Sequence, residues 1–396
     1  MENLKAENII RVGIVGARFA ARFHWKAFQR VYGVPVRVVG VTSAQAESRE
    51  AFAREHGIAA FESIEALCGA ADVIDICAPG ALHEPLAVQA LRRGKHVIVE
   101  KPFTGYYGPQ TGEFRGNTFS KETMLREALA SCDRILAAAK ESGKQIAYAE
   151  NWVYAPAIAK EREILVKSGG QILWIIGDES HSGSHSPYYG AWKFSGGGSA
   201  VGKACHPLTA ALSLKRSEGE ARSQKPIRPA TVSARMHEIT RLKSFIDAGY
   251  LRTSYDDVED YAQIHVTFGD GTVADIFSSE LVLGGVHNWL EVFANNHRTR
   301  CNLNPIDALE TYNPREELLK DVYVTEKIGT KQGWSNPAPD EDWQHGYPQE
   351  IQDCVECFQS GREPLSNGAL ARDTMAVLYS AYVSAERRGA EVEIPQ

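Results

Sequence analysis

The pair Glu100-Lys101 offers charged chemistry directly after a short run of β-branched residues, 97–99. Such a run is typical of a buried parallel strand, and Pro102 ends it because proline has no N–H to donate to the next ladder position. Open α/β sheets bind ligands at the carboxyl ends of their strands, so Lys101 is a candidate for proton transfer on a ligand bound there. The alternative is a surface ion pair at a strand end.

A second set of polar residues lies in the later half of the chain, in residues 181–193 and in the glycine-rich residues 196–207. Positions three apart share a face of a helix, so Lys203 and His206 would point the same way if a helix extends back to residue 203. Two histidines four apart and three aromatic residues precede them: His181, His185, Tyr188, Tyr189 and Trp192. Because no third ligand is evident, we expect these histidines to bind no metal; they could contact a polar substrate instead. The aromatic residues could either stack on a sugar ring or pack in the core.

The elements that must position Lys101 begin with a strand over residues 9–15, which breaks at a glycine turn and continues into a helix. A strand, a glycine turn and a helix in this order are typical of the start of a dinucleotide-binding domain. The turn matches the pattern G-x-G-x-x-G/A imperfectly, because Gly16 and Ala21 fit while Arg18 stands at the middle glycine. The guanidinium of Arg18 could reach a phosphate of the dinucleotide.

The next predicted strand, residues 36–41, is followed by the hydroxyl residues Thr42 and Ser43. The carboxylate that usually binds the adenosine ribose of NAD is therefore missing. The nearest arginine that could bind a 2′-phosphate instead is Arg49. We expect NAD as the cofactor, with NADP as the alternative.

Strands and helices alternate with short connections up to about residue 150, which predicts a doubly wound parallel sheet. Later, strands predominate and Gly269-Asp270-Gly271 marks a hairpin, which predicts a largely antiparallel sheet with helices on one face. The predicted fold class is α/β, with an N-terminal Rossmann dinucleotide-binding domain over residues 1–150. A C-terminal α+β domain with a large, mostly antiparallel open sheet follows over residues 151–396. Residues 104–120, rich in glycine and aromatics, form either a wall of the site or a surface insertion.

The composition is that of an ordinary globular protein, with 43% hydrophobic and 23% charged residues. A net charge of −7 argues against nucleic acid as the main partner. No apolar run reaches the length of a membrane span, the polar start shows no signal peptide, and seven cysteines in 396 residues predict no disulfide framework. We therefore expect a cytoplasmic protein that binds neither nucleic acid nor membrane.

Nearly the whole chain resembles the glucose–fructose oxidoreductase, inositol dehydrogenase and MocA (Gfo/Idh/MocA) family. The residues that carry the resemblance are the glycine turn, Cys77-Ala78-Pro79 followed by His83, Gly94-Lys95-His96-Val97 leading into Glu100-Lys101-Pro102, the glycine run ending in His206, and residues 257–262. The resemblance implies a Rossmann domain joined to a substrate-binding domain, and NAD or NADP used on sugars, inositols and related polyols. It also implies assembly into a homodimer or homotetramer.

The family's catalytic set is a lysine, an aspartate and a histidine four residues after the aspartate. Lys101 and His206 match this set, whereas Gly202 stands at the aspartate, with Lys203 beside it as a further catalytic candidate. The missing carboxylate and the added positive charge would favour an anionic substrate such as a sugar acid. The implied cofactor-binding residues are Gly16, Ala17, Arg18, Phe19, Ala20, Ser43, Pro79, His83, Glu100 and Lys101. The implied substrate-binding residues are Lys101, Asn151, Trp152, Tyr154, His181, His185, Tyr188, Tyr189, Trp192, Lys203 and His206.

These observations favour a nicotinamide-dependent oxidoreductase that acts on a sugar, sugar acid or polyol by hydride transfer, with Lys101 or His206 removing the hydroxyl proton. One alternative is a glycoside hydrolase that oxidises, eliminates, hydrates and reduces its substrate on bound NAD, or a sugar oxidoisomerase that uses transient oxidation. Another is a non-catalytic sensor of a sugar or nucleotide.

Overall fold

The computed structural model describes residues 9–109, 111–184, 186, 188–304 and 308–396. They form two compact units. The first comprises the described residues up to Gly105 together with Ala128–Tyr154 and Gly346–Arg372, and the second comprises Tyr106–Glu127, Ala155–His345 and Asp373–Gln396. One division lies close to the expected boundary at residue 150. Residues 106–127, however, belong to the second unit although they precede this boundary. Residues 346–372 belong to the first unit although they follow it.

The first half of the chain alternates strands and helices as predicted. Its elements are β1 (Ile10–Val15), α1 (Phe19–Phe28), β2 (Val36–Thr42), α2 (Ala46–His56), β3 (Ala59–Ala60), α3 (Ile64–Ala70), β4 (Val73–Ile76), α4 (His83–Arg92), β5 (His96–Glu100), α5 (Lys121–Ser142) and β6 (Ile146–Ala149). The sequence pattern predicts helices over residues 46–56 and 121–142, and these are the observed bounds of α2 and α5. Strand β3 was not predicted. The division between the two units falls within α5.

The first unit is built on a parallel sheet of six strands in the order β3-β2-β1-β4-β5-β6. Both faces of the sheet are covered: all four residues of β4 and of β6 are buried, and apart from Asp75 and Tyr148 they are aliphatic. Strand order reverses between β1 and β4, which makes their carboxyl ends the expected place for a ligand. This arrangement confirms the predicted Rossmann sheet.

The second half of the chain supplies more strands than the sequence predicted. Its elements are α6 (Pro156–Ser168), β7 (Ile172–Ser180), α7 (Trp192–Ser195), α8 (Cys205–Ser223), β8 (Pro229–His237), β9 (Tyr261–Phe268), β10 (Val273–Ser279), β11 (His287–Ala294), β12 (Arg298–Asn302), β13 (Thr311–Asn313), β14 (Gly333–Ser335), α9 (Glu341–Gln344), α10 (Tyr347–Ser360), α11 (Gly368–Glu386) and β15 (Val392–Glu393). Helix α10 lies in the first unit, where Ile351, Cys354 and Val355 join the core that β1 lines.

The second unit contains a sheet of seven strands in the order β12-β11-β7-β10-β9-β8-β15. Strands β7 and β10 are parallel, and the other neighbours are antiparallel. Alternate residues of β9 and β11 are buried, as expected for strands that pack one face on a helix layer. The predicted mostly antiparallel open sheet is therefore confirmed, with one parallel pair inside it.

None of the helices in the described ranges is both long enough and apolar enough to cross a membrane. All seven cysteines lie in these ranges and are free thiols, as predicted. Cys354 and Cys357 form a CxxC pattern, and both are buried thiols of the core.

Candidate functional site

The turn after β1 requires a glycine at position 16. Gly16 adopts a φ of 116°, and a Cβ at this position would lie 2.5 Å from the Cys77 carbonyl oxygen. The Gly16 N–H donates to the Thr42 carbonyl, and the Cys77 N–H donates to the Val15 carbonyl. A glycine is therefore needed here because the loops after β1, β2 and β4 pack backbone against backbone at the switch point of the sheet.

Arg18 occupies the middle position of the turn without backbone strain, since its φ is −115°. Its guanidinium donates to Gln45 Oε1 at 2.9 Å, beyond the end of β2. Arg49 donates to the Ser43 carbonyl at 3.1 Å, so a second guanidinium lies at the same strand end. The side chain of Arg18, which precedes α1, makes no capping hydrogen bond to this helix, and a helix amino terminus favours a ligand of negative charge.

His83 links the loops that follow β4 and β5. One ring nitrogen lies 2.8 Å from the Pro102 carbonyl oxygen and the other 2.8 Å from that of Ala78, and the side chain is buried. The ring thus lies between the loops that carry Pro79 and Lys101. Burial lowers its pKa, and as a neutral imidazole it has one N–H to donate to either carbonyl. His83, predicted to bind the cofactor, is placed to position these loops.

Lys101 directly follows β5 and is half-buried. Burial alone would raise the pKa of the neighbouring Glu100, but contact with His24 and the positive charges of His24 and Lys101 lower it. Glu100 therefore stays a carboxylate beside Lys101. The side chain of Glu100 extends toward His24, whose Nε2 lies 3.7 Å from Glu100 Oε1.

Two carboxylates lie at one edge of the sheet of the second unit. Glu179 is near the end of β7, and Glu280 directly follows β10. These two strands are the parallel pair, with Ser278 beside Glu179, so their carboxyl ends lie side by side. The chain segment that faces them is a π-helix over Ala200–Ala204, which continues into α8. Short π-helical segments are frequent at functional sites.

Lys203 of this π-helix forms a buried ion pair with Glu280, and both side chains are almost fully excluded from solvent. The Lys203 Nζ also lies 5.3 Å from the ring centre of Tyr189. Burial, followed by the charge of Glu280, raises the pKa of Tyr189 well above its ordinary value, so its hydroxyl stays protonated. Lys203, Glu280 and Tyr189 form one cluster, which we call the Lys203 cluster.

Gly202 is tightly packed against this cluster. A Cβ at Gly202 would lie 2.6 Å from the Tyr189 hydroxyl oxygen. The space that a carboxylate side chain would need at this position is therefore taken by Tyr189, and the carboxylate of the cluster comes from Glu280 instead.

His206 lies in the first turn of α8, with its Nε2 3.9 Å from Glu179 Oε2. His181 follows β7, and its Nδ1 lies 4.0 Å from Glu280 Oε2. His206 thus faces Glu179, and His181 faces Glu280. The arrangement combines groups that can donate, accept and carry protons with groups that can hydrogen-bond several hydroxyls.

Residues 10–108 match the sequence profile described as the oxidoreductase family with an NAD-binding Rossmann fold, GFO_IDH_MocA. This part of the chain is similar to the NAD-binding domain of the Gfo/Idh/MocA family. It is 33% identical over 92 residues to glucose-6-phosphate 3-dehydrogenase of Bacillus subtilis, covering 23% of this chain and 26% of that protein. It is also 33% identical over 95 residues to UDP-N-acetylglucosamine 3-dehydrogenase of Acidithiobacillus ferrooxidans, covering 24% and 29%. The chain spans between a quarter and a third of the length of these curated relatives.

The fold likeness extends over the whole chain. GenD2 from gentamicin A biosynthesis, solved in complex with NAD, has a TM-score of 0.78 and 21% identity, over 98% of this chain and 97% of that one. At this identity the likeness shows the fold alone. The glycine cradle at Gly16, which has no room for a Cβ, and the amino terminus of α1 fit the dinucleotide that the Gfo/Idh/MocA Rossmann domain binds.

The structure places several predicted substrate residues in packed interiors. Tyr154 donates its hydroxyl to Asp353 at 2.9 Å and accepts the Ser366 N–H at 3.0 Å, within the first unit. Trp192 is buried and donates its Nε1–H to the Tyr106 carbonyl, within the second unit. Asn151 and Trp152 are buried in a 3-10 turn, whereas Tyr188 is half exposed and packs edge-on against Phe194. His185 lies outside the described residues.

Residues 106–109 and 111–120 form part of the second unit. Tyr106, Phe114 and Phe119 pack their rings together, and the Gly116 N–H donates to Asp257. The segment is therefore anchored by its own aromatic cluster, which explains its composition.

Glu179 and Glu280 are the site residues that sequence reasoning missed. Each stands next to a serine at the end of a strand, in Glu179-Ser180 and Ser279-Glu280. A polar residue that ends an apolar strand is the same pattern that marked Lys101. The same pattern would have indicated Glu179 and Glu280 if β7 and β10 had been recognised as parallel neighbours.

Substitution of Gly16 by alanine should be strongly unfavourable. The new Cβ would meet the Cys77 carbonyl at a backbone conformation that L-residues rarely adopt. We expect a loss of about 1–3 kcal/mol of stability and weakened NAD binding, because the loops must separate. Chemical denaturation and calorimetric NAD titration measure the two effects. The matched control is Gly57→Ala, where a positive φ meets no nearby atom, so NAD affinity should be unchanged.

Glu259 should make stability depend on pH. Its buried carboxylate accepts the Ala200 N–H at 2.9 Å and the Tyr382 hydroxyl at 2.8 Å, and it thereby holds the loop that leads to Lys203. Burial raises the pKa of Glu259 from 4.5 to about 7. The folded state then retains a proton that the unfolded state releases, so stability falls as pH rises from 4.5 to about 7 and is level above that.

The expected loss is about 3 kcal/mol over this window, at up to about 1.4 kcal/mol per pH unit. Urea unfolding midpoints measured along the window check the slope. In Glu259→Gln, which cannot ionise, this component of the slope should vanish. An unchanged slope in that variant would assign the pH dependence to other groups.

Proposed function

We propose that the protein is an NAD-dependent oxidoreductase that transfers a hydride between the cofactor and a carbinol carbon of a carbohydrate. The observation that carries the proposal is the cradle at Gly16 in a Rossmann segment of an NAD-binding oxidoreductase family. The names of the relatives, a sugar-phosphate and a nucleotide-sugar 3-dehydrogenase, support a sugar derivative as the substrate class.

Within the first unit, the turn over Gly16, Ala17 and Arg18 and the start of α1 at Phe19 and Ala20 would hold the dinucleotide phosphates. Ser43, Gln45 and Arg49 would line the adenosine ribose. When bound, NAD supplies a hydride acceptor at its nicotinamide ring. Lys101 would stabilise the developing alkoxide of the substrate or take its proton, and Glu100 and His83 would fix the loop that carries it.

Within the second unit, His206 beside Glu179 is the other candidate for the base that takes the hydroxyl proton. The Lys203 cluster and His181 would bind sugar hydroxyls, since they offer both donors and acceptors. Lys203 is paired with Glu280 and therefore adds no net charge. A neutral polyol face is thus better matched to this cluster than the carboxylate of a sugar acid.

The test is a panel of free sugars, sugar phosphates, nucleotide sugars, glycosides and inositols, each incubated with NAD or NADP while substrate loss and the absorbance of the reduced cofactor are followed. Reduction of NAD by at least one member supports the proposal. Turnover of a glycoside without accumulation of reduced cofactor would instead establish the redox-neutral glycosidase. Tight ligand binding without turnover of any member would establish a sensor.

We also propose that the second unit mediates self-association. Helix α8 lies against β7, and the opposite face of the sheet presents the large side chains of Trp174, Phe277, Trp289 and Phe293, all half-buried. The rings of Trp174 and Phe293 stack at 4.6 Å. The same face carries ion pairs, among them Asp178 with His287 and Glu291 with Arg298. Aromatic rings set among ion pairs favour an interface with a second copy of the chain.

A charge on this face should break the assembly. We expect light scattering to report a dimer or tetramer for the wild-type protein and a monomer for Phe277→Arg. A monomeric wild-type protein would refute self-association.

A further inference from the structure

The end of β2 in the first unit carries no acidic side chain. The strand ends at Thr42, and Ser43, Ala44 and Gln45 connect it to α2. In a Rossmann domain the adenosine ribose of the cofactor lies at this strand end, where a carboxylate binds the ribose 2′-hydroxyl and repels a 2′-phosphate. The first carboxylate after the strand is that of Glu47, which is exposed in the first turn of α2. The group that usually selects NAD over NADP is therefore missing from this strand end.

The Arg18 side chain crosses from the turn after β1 to the same strand end. Its Nη2 donates to Gln45 Oε1 at 2.9 Å, and the Ser48 hydroxyl donates to the same oxygen at 3.3 Å. This contact places the guanidinium of Arg18 at the ribose end of the dinucleotide site. A guanidinium carries five N–H donors in a planar fork, and a phosphate can accept two of them side by side.

Arg49 brings a second guanidinium to this place. It lies near the start of α2, and its Nη1 donates to the Ser43 carbonyl at 3.1 Å. The Arg49 Nε is buried and has no hydrogen-bond partner among the residues that the structure describes. The Ser43 hydroxyl donates to the Gln45 carbonyl at 3.0 Å, so local hydrogen bonds fix the loop that the two arginines contact. Two positive side chains thus reach one short loop from two different elements.

The start of α2 adds further donors. The side chain of Gln45, which precedes α2, makes no capping hydrogen bond to this helix of eleven residues. A helix amino terminus presents backbone N–H groups and the positive end of the helix dipole. Together with the two guanidinium groups and the hydroxyls of Ser43 and Ser48, it gives the strand end the donors and the positive charge that a phosphate requires.

We propose that Arg18 and Arg49 bind the 2′-phosphate of NADP, so that the protein binds NADP at least as tightly as it binds NAD. A phosphate monoester carries about 1.5–2 negative charges near neutral pH, and its contacts with arginine are stronger than hydrogen bonds between neutral groups. NAD has a neutral 2′-hydroxyl at this point and gains no such contact. The inference rests on the proposed function, because it requires a dinucleotide in the Gly16 turn, and it adds which dinucleotide the ribose end favours.

Calorimetric titration of the full-length protein with NAD and with NADP measures this preference directly. We expect a Kd for NADP that is equal to or lower than the Kd for NAD. The affinity for NADP should also fall more steeply as salt is added, because salt screens exposed charges. Arg18→Met and Arg49→Met should each weaken NADP binding by about 10–100-fold and NAD binding by less than about threefold.

Two further variants sharpen the test. Ser43→Asp introduces a carboxylate at the strand end, so it should weaken NADP binding by at least about tenfold and preserve NAD binding. The matched control is Arg22→Met. Arg22 also extends from α1, but it pairs with Glu55 in the last turn of α2, roughly 14 Å along that helix from its start. The ratio of the two dissociation constants in this control should equal that of the wild-type protein.

Should a variant fail to fold, the wild-type comparison alone still decides. A wild-type protein that binds NAD more tightly than NADP would overturn the inference and leave the proposed function intact. An unchanged ratio of dissociation constants in both folded arginine variants would overturn it as well. Failure of both dinucleotides to bind would instead overturn the proposed function, and this inference with it.

Discussion

Replacement of Lys101 by methionine should lower kcat/KM for the carbohydrate substrate by about 10²–10⁴-fold, which is the range for loss of a proton-transfer or alkoxide-stabilising group. Methionine keeps the length and apolar stem of the lysine and removes only the charge and the proton. The residue follows β5, at the edge of the sheet where the Gly16 turn and the loop after β4 also lie. NAD binding, measured by calorimetry, should change by less than tenfold, because the phosphate-binding groups lie on other loops.

Two variants separate this effect from a general disturbance. Lys140→Met removes an exposed lysine from the last turn of α5 and should leave turnover unchanged. Lys101→Arg keeps the positive charge but cannot release a proton near neutral pH. If the arginine variant retains most of the activity, Lys101 acts through its charge, and His206 becomes the base. Full activity of Lys101→Met would remove Lys101 from the chemistry.

The position of Lys101 could be predicted because it depends on local pattern. β-Branched runs followed by glycine or proline identified β1, β4 and β5, and in a parallel sheet the ends of such strands meet at one edge. The Gly16 turn was weak evidence by itself. The φ of 116° and the closeness of the Cys77 backbone explain why only glycine fits at this position.

The grouping of the chain into units could not be predicted from local pattern. Helix α10 is amphipathic, so its sequence shows that one face is buried. The sequence does not show which part of the chain covers that face. Its apolar residues complete the core that β1 lines, more than 300 positions earlier in the chain. Segment 106–127 was equally ambiguous, because its aromatic residues find their partners in one another and in the second unit.

The surroundings of Gly202 could not be predicted from the sequence around it. In the sequence alone, a glycine at this position indicates that the aspartate of the family's catalytic set is missing. In the folded chain the Tyr189 hydroxyl fills the space beside it, and Glu280 supplies a carboxylate to Lys203 from another strand. Only the parallel pairing of β7 and β10 brings these residues together, and nothing in the local pattern around residue 280 encodes that pairing.

The Lys203–Glu280 pair should show strong coupling between its two side chains. Both are almost completely buried. Replacing one partner leaves the other as an uncompensated buried charge, so Lys203→Met and Glu280→Gln should each cost about 3–5 kcal/mol of stability. The double variant contains no buried charge at this point and should recover much of that loss. Urea unfolding of the four proteins gives the coupling energy directly.

Stability alone would not distinguish a substrate-binding pair from a structural one, and Lys215 provides the comparison. Its ammonium is fully buried in the same unit and contacts Glu218 Oε2 at 2.6 Å and Asp270 Oδ2 at 2.9 Å. Lys215→Met should lose comparable stability yet keep the KM of the wild-type enzyme at a temperature where it is folded. The Lys203→Met/Glu280→Gln variant should be more stable than either single variant and still raise KM by at least about tenfold, because the two groups that we propose to contact substrate hydroxyls have been removed. Wild-type KM and kcat in that double variant would instead assign the pair to folding alone, and would leave His181 and His206 as the polar residues through which the second unit recognises its substrate.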